Sequence, residues 1–343
     1  MKKIISIIIL VATLTLVGYV LIKFSKKEES STQTQNNQKI TVVTTLFPFY
    51  DFAKNIGGDK VEVSLLLPPG AEPHSFEPRP TDILQISSAD VFIYTGDLME
   101  PWVDDLLQGI DSRDLIIIDA SQEVDLVKTE HGHGHAHHDH ENEDAHESDH
   151  EKTLELNNHY QESHLDPHFW LDFSNAQAVV KSIARALKNV QPENQELFEN
   201  NAERYNLALS NLDQKYHQQL ANCSTRKIIY GGHYAFGYLA HRYNLDYIAA
   251  QGFSPNSEIT AQNLAELTEQ TNQEKLNYVF YEELENSKIA EIIAKETNTE
   301  TLPLSSAHNV SKKDLNENVS FISIMEKNLT NLTKGLNCNF KHE

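Results

Sequence analysis

Residues 193–223 read ENQELFENNAERYNLALSNLDQKYHQQLANC. Leu197, Ala202, Tyr205, Leu209, Leu212, Tyr216 and Leu220 recur at steps of three, four or five. That spacing predicts a helix with one buried face. At 1.5 Å per residue, some thirty residues reach about 45 Å, the length of a whole domain. A helix this long can bridge two domains and hold their separation nearly fixed. A shorter helix is expected at 175–189, closed by Pro192.

Both flanks of this helical stretch carry one plan. Ahead of it, β-branched runs at 40–46, 61–67, 91–94 and 115–118 alternate with helix-like stretches at 50–56, 81–87 and 101–110. Behind it, strands are expected at 227–230, 245–249, 278–281 and 301–304. Helices are expected there at 235–243, 261–271, 287–297 and 322–335. Alternation of this kind implies a mostly parallel sheet with helices on both faces. The expected fold is therefore α/β: two similar lobes, at 40–173 and 224–343, joined by a helical linker at 174–223.

The chain has 343 residues, a length suited to about two domains. Its 28 Lys and Arg against 50 Asp and Glu give a formal charge of −22. That excess of acid argues against nucleic acid as a partner, because phosphate backbones require a basic surface. Hydrophobic residues make up only 39%, a shortfall caused by two polar stretches. One is 23–39, a tether without an apolar core. The other is 129–163, rich in His and acid, which lacks the apolar residues to fold alone. Two Cys exclude a zinc module built on four cysteines.

Residues 1–22 read as an export address. Lys2 and Lys3 precede an uncharged apolar run at 4–22, and Lys23, Lys26 and Lys27 follow. The run is long enough to span a bilayer. It ends without a clear small-residue cleavage site, so an uncleaved signal-anchor is favoured over a cleaved signal peptide. No Cys follows it to carry a lipid. Either form places the rest of the chain outside the cytoplasm.

Three His stand at turns. His74 lies in PPGAEPH (68–74), past the second expected strand. His168 lies in DPHFW (166–170), just after the His-rich stretch. His233 lies in YGGHY (230–234), at the carboxyl end of a strand. Ligands in open α/β sheets bind outside the carboxyl ends of strands. Pro and Gly neighbours fix the turns that carry these residues. Three imidazoles converging on a cleft suit Zn²⁺ or another borderline divalent metal. His131, His133, His135, His137, His138, His140, His146 and His150 form a separate cluster suited to weaker auxiliary capture. His159, His164, His217, His241, His308 and His342 lack such a turn signature and are read as ordinary surface or packed residues.

These pieces together resemble the zinc-binding subunit of bacterial ABC-type zinc importers, within the metal-binding group of solute-binding proteins. The matching segments are TTLFP (44–48), PGAEPHSFEP (69–78), LDPHFWLD (165–172) and GHYAF (232–236), and the likeness runs over about 39–336. The resemblance implies two lobes joined by a rigid long helix, with metal in the cleft between them. It also implies His74, His168 and His233 as ligands, and a His-rich insertion before the second ligand as a mark of zinc members. Manganese members carry a carboxylate at the position of His233 and an Asp in the last loop. Here that loop holds Ser305 and Ser306, so water or a carboxylate, with Glu72, Glu77 and Glu282 as candidates, is expected at the fourth position.

The expected function is thus a monomeric extracytoplasmic receptor, anchored by 4–22, that binds one Zn²⁺ tightly and delivers it to an ABC-type metal permease. Rival readings are a manganese or iron receptor of the same group, or a periplasmic metal buffer or chaperone. A zinc hydrolase is disfavoured by the lack of an HExxH motif and of a nucleophile elbow. No enzymatic activity and no catalytic residue are expected. Because ligating imidazoles must be unprotonated, affinity is expected to fall below about pH 6.5. Cys223 and Cys338 are expected to pair in an oxidising compartment, the alternative being two free thiols.

Overall fold

A computed structural model describes residues 38–127, 165–254, 256–257, 259–284 and 287–339. Residues 39–343 group as one unit. The candidate anchor at 4–22, the tether up to residue 37 and the eight clustered His of 131–150 lie outside the described residues.

Four short apolar strands open the chain: β1 (Ile40–Thr44), β2 (Val61–Leu65), β3 (Val91–Tyr94) and β4 (Ile116–Asp119). They pair in parallel in the order β2-β1-β3-β4. Helices α1 (Phe47–Gly57), α2 (Pro80–Ser87) and α3 (Trp102–Gly109) connect them. All four residues of β3 are buried, as expected for a central parallel strand covered on both faces. Helix α1 starts three residues earlier than the apolar pattern suggests. Pro48 occupies its first turn, where a missing N–H costs nothing.

The second half repeats the order. Strands β5 (Lys227–Tyr230), β6 (Asp246–Ala249), β7 (Tyr278–Tyr281) and β8 (Glu300–Pro303) pair in parallel as β6-β5-β7-β8. Helices α6 (Gly237–Arg242), α7 (Ala261–Gln273) and α8 (Lys288–Thr297) connect them. The short α9 (Lys312–Asn316) and then α10 (Phe321–Gly335) follow β8. In each half the chain leaves its first strand toward one side and later returns on the other. That reversal opens a crevice at the carboxyl ends of the strands.

Between the two halves of the sequence come α4 (Phe173–Val190) and α5 (Gln195–Leu220). At 26 residues, α5 is about 39 Å long. Its buried stripe is Phe198, Ala202, Tyr205, Leu209, Leu212, Tyr216 and Leu220. Phe198 replaces the Leu197 of the sequence reading, which restores regular steps of three and four. The helix packs on α1 and α4 of the first half and on α10 of the second.

Polar contacts fix these junctions. Tyr205 Oη donates to Asp51 Oδ2 at 2.7 Å, and the same oxygen accepts the Phe321 N–H at 3.1 Å. One buried carboxylate on α1 thereby holds α5 and the start of α10. Tyr216 Oη donates to the Met325 carbonyl at 2.6 Å. Cys223 and Cys338, 115 residues apart, form a disulfide just past α5 and α10. A loop of that length suggests a contribution of about 3–5 kcal/mol through the unfolded chain. Among the described residues no helix is long and apolar enough to cross a membrane.

Candidate metal centre

Each of the three imidazoles hangs from a loop that follows or faces the carboxyl ends of the strands. His74 sits in a 3-10 turn, Pro73–Ser75. Pro73 presets the backbone, and Glu72 Oε1 accepts the His74 N–H at 2.9 Å. The preceding turn needs Gly70, whose φ of 79° lies in the left-handed region. Asn309 Nδ2 clamps this turn by donating to the Pro68 and Ala71 carbonyls, both at 2.8 Å. Gly70 N–H donates to the Val310 carbonyl at 3.0 Å. A segment after β8 thus holds the turn that presents His74.

His233 follows β5 directly through Gly231 and Gly232. A Cβ at Gly231 would lie 2.5 Å from the Ala290 backbone nitrogen, so only glycine lets the loop pass α8. His168 precedes a 3-10 turn, Phe169–Leu171, that leads into α4. Asp166 Oδ1 accepts both the His168 backbone N–H at 2.9 Å and His168 Nδ1 at 2.8 Å. That contact engages Nδ1 and leaves Nε2 to face the site. Trp170 packs edge-on to the His168 ring at 5.4 Å and donates its Nε1–H to the Ser306 carbonyl at 2.8 Å.

The structure brings His74, His168 and His233 together. One ring nitrogen from each lies within 4.8 Å of the other two. Ring centroids are 5.2–5.3 Å apart. His168 Nε2 and His233 Nε2 stand 3.3 Å apart. Two nitrogens on one tetrahedral zinc, with bonds of 2.0–2.1 Å, would also be about 3.3 Å apart. His168 and His233 are fully buried, and His74 is half-buried. His74 Nε2 is buried and makes no hydrogen bond, whereas buried polar atoms in native interiors nearly always have a partner.

Burial keeps the cluster neutral. It drives His74 down to about 2, with the His168 and His233 rings adding to the shift. It also holds His168 well below the ordinary imidazole range, with His233 adding to the shift. Burial raises the Asp166 carboxyl to about 8, opposed by the His168 N–H and His233. Proton competition in the folded protein therefore lies below the pH 6.5 expected from an unperturbed imidazole.

None of the candidate carboxylates joins this set. Glu72 caps its own turn, and Glu77 is exposed. Glu282, buried just past β7, accepts the Ser306 N–H through Oε2 at 2.7 Å and the Glu283 N–H through Oε1 at 3.1 Å. The residue that sequence reasoning passed over is His308. It is 2% exposed, and its ring centroid is 6.0 Å from that of His233. Its Nδ1 is hydrogen-bonded to Ser306 Oγ. Burial and the His233, His74 and His168 rings hold it well below the usual imidazole range. No Pro or Gly marks its turn; Ala307 supplies the positive φ of 58° instead.

A family model described as the zinc-uptake complex component A, periplasmic, matches residues 42–335. The chain belongs to this family. The high-affinity zinc uptake system protein ZnuA of Bacillus subtilis is 33% identical over 298 residues, covering 87% of this chain and 88% of its own. The zinc-binding protein AdcA of Streptococcus pyogenes is also 33% identical, over 297 residues and 86% of this chain. The chain spans 55% of the length of that streptococcal relative. Among solved structures, the Zn(II)-bound ZnuA-like domain of Streptococcus pneumoniae AdcA superposes with a TM-score of 0.69 at 31% identity, over 87% of this chain and 99% of that one. The metal-dependent lipoprotein YcdH of Bacillus subtilis gives 0.70 at 32%, over 87% and 100%.

Proposed function

We propose that this chain is the extracytoplasmic receptor of an ABC-type zinc importer. It captures one Zn²⁺ through His74, His168 and His233 and hands it to a membrane permease. The carrying observation is the three-imidazole set, with its 3.3 Å Nε2–Nε2 spacing and the unsatisfied His74 Nε2. Three neutral nitrogens with no carboxylate oxygen among them favour Zn²⁺ over Mn²⁺. Asp166 orients His168 and strengthens its Nε2 as a donor, as carboxylate partners of metal-bound imidazoles do.

The zinc ion is the cargo, and the chain performs no catalysis. The lobes at 40–173 and 224–343 stay at fixed spacing on the 174–223 linker, so binding adjusts loops rather than swinging lobes. Residues 4–22 anchor a monomer at the outer face of the membrane, and His131 to His150 supply weaker auxiliary capture of zinc. Support for this reading comes from the family match and from the zinc-binding names of the relatives.

The test is zinc affinity by chelator competition for the wild type and for His233→Ala. Loss of one of the three imidazole donors should weaken binding on the order of a hundredfold or more, because zinc binding free energies of about 10–16 kcal/mol are shared among a few ligands. A His233→Ala protein with unchanged tight affinity would overturn the ligand assignment.

A further inference from the structure

A tetrahedral zinc site takes four donors, and three are at hand. No carboxylate joins the three-nitrogen set; those nearby accept other hydrogen bonds, Glu72 from the His74 N–H, Glu282 from the Ser306 and Glu283 N–H groups, Asp166 from His168. His308 is the remaining buried donor beside the cluster. We propose that His308 is the fourth protein ligand, so that the loaded site is a shell of four imidazoles; this deepens the receptor reading above and rests on it.

Three observations carry the proposal. First, the His308 ring lies 6.0 Å from the His233 ring, in a segment that already holds the other ligand loops. Ser306 accepts the Trp170 indole beside His168, and Asn309 clamps the turn of His74. Second, Ser306 Oγ can accept a hydrogen bond from His308 Nδ1–H, which leaves Nε2 as the metal-binding nitrogen. His168 is prepared in the same way by Asp166. Third, the backbone at Ala307 takes a left-handed conformation that L side chains rarely adopt, at the point where the loop turns His308 inward.

The His308 nitrogens stand outside the set of three that lie within 4.8 Å of one another. Ligation therefore draws the His308 ring toward the ion, which closes the shell after the first three nitrogens have engaged. Four neutral nitrogens make a closed site that suits zinc and disfavours the oxygen-seeking Mn²⁺.

The test uses the full chain with imidazole nitrogens labelled with ¹⁵N and one equivalent of Zn²⁺, so that the tight site fills first. Wild type should show four ring nitrogens moved to metal-bound shifts, and His308→Gln should show three with at least about tenfold weaker affinity. Ser306→Ala keeps the imidazole and should retain four shifted nitrogens with a smaller loss. If His308→Gln does not fold, the wild-type count and Ser306→Ala decide alone. Three shifted nitrogens in wild type, with His308→Gln binding as tightly, would overturn the His308 assignment and leave the receptor reading standing. Wild type that held no zinc, or shifted none of His74, His168 and His233, would instead overturn the receptor reading itself.

Discussion

The two halves share one strand order but present their imidazoles differently. His233 follows β5 at once, at the point where the second sheet reverses its winding, and is fully buried. The equivalent place in the first half, three residues past β1, holds Phe47. The first half uses the loop after its edge strand β2 instead, and carries His74 half-buried on a turn clamped from across the site. One half supplies a donor fixed by its own sheet. The other supplies a donor whose position depends on a partner loop. Same-topology sheets therefore need not contribute equivalent residues, because function resides in loops rather than in strand order.

Removing a fully buried donor, from either half, should have the largest effect. Besides His233→Ala, loss of His168 removes a fully buried donor, and chelator competition should again show a fall on the order of a hundredfold or more. Asp166→Asn keeps the ligand but weakens its support. Calorimetry should show an affinity loss of about 10–100-fold, the usual consequence of removing a partner of a metal-bound imidazole. Unchanged affinity would mean that the loop backbone alone orients His168.

The clamped side should respond more mildly. Asn309→Ala removes two hydrogen bonds, each contributing about 0.5–1.5 kcal/mol, so affinity should fall several-fold to about a hundredfold if the turn is otherwise free. Stopped-flow zinc release would show whether the loss appears as faster dissociation. An unaffected variant would mean that the turn holds itself and that the contrast between the halves is empty.

Acid should act on the metal-free fold before it acts on the site. His74, His168 and His308 resist protonation when folded, while an unfolded imidazole titrates near 6.5. Below that value the unfolded chain binds protons that the folded chain refuses, so stability falls as pH drops. Asp166 and Glu100, raised to about 8 and about 7 by burial, act in the opposite sense. Each keeps a proton that the unfolded chain has already lost above about pH 4–5, so each withdraws stability as pH rises toward neutrality. Melting curves of the metal-free protein should show a clear loss between pH 6.5 and 5, in the range set by the free imidazole. A melting temperature that kept rising through this range would contradict the neutral buried cluster.

Much of this was legible in the sequence because it is local. The β-branched runs at 91–94, 227–230 and 278–281 coincide with strands β3, β5 and β7, since buried parallel strands demand such residues. His74, His168 and His233 announced themselves through Pro and Gly neighbours. Cys223 and Cys338 were a plausible pair, and the disulfide is present. What stayed hidden depends on contacts far apart in the chain. The clamp from Asn309 to the turn at 68–71 spans some 240 residues, and no local pattern encodes it. His308 escaped notice for the same reason: its loop is docked by Trp170 and Phe47 from the first half rather than shaped by its own Pro or Gly.

The most direct measurement is tightly held zinc per chain, by elemental analysis after dialysis against a competing chelator, with and without residues 129–163. Asp166 N–H already donates to the Val127 carbonyl at 3.3 Å, so the chain is joined across the base of that stretch. The expected result is one zinc retained in both forms, with manganese not retained. Loss of all tightly held zinc on deletion would contradict a binding centre built from His74, His168 and His233.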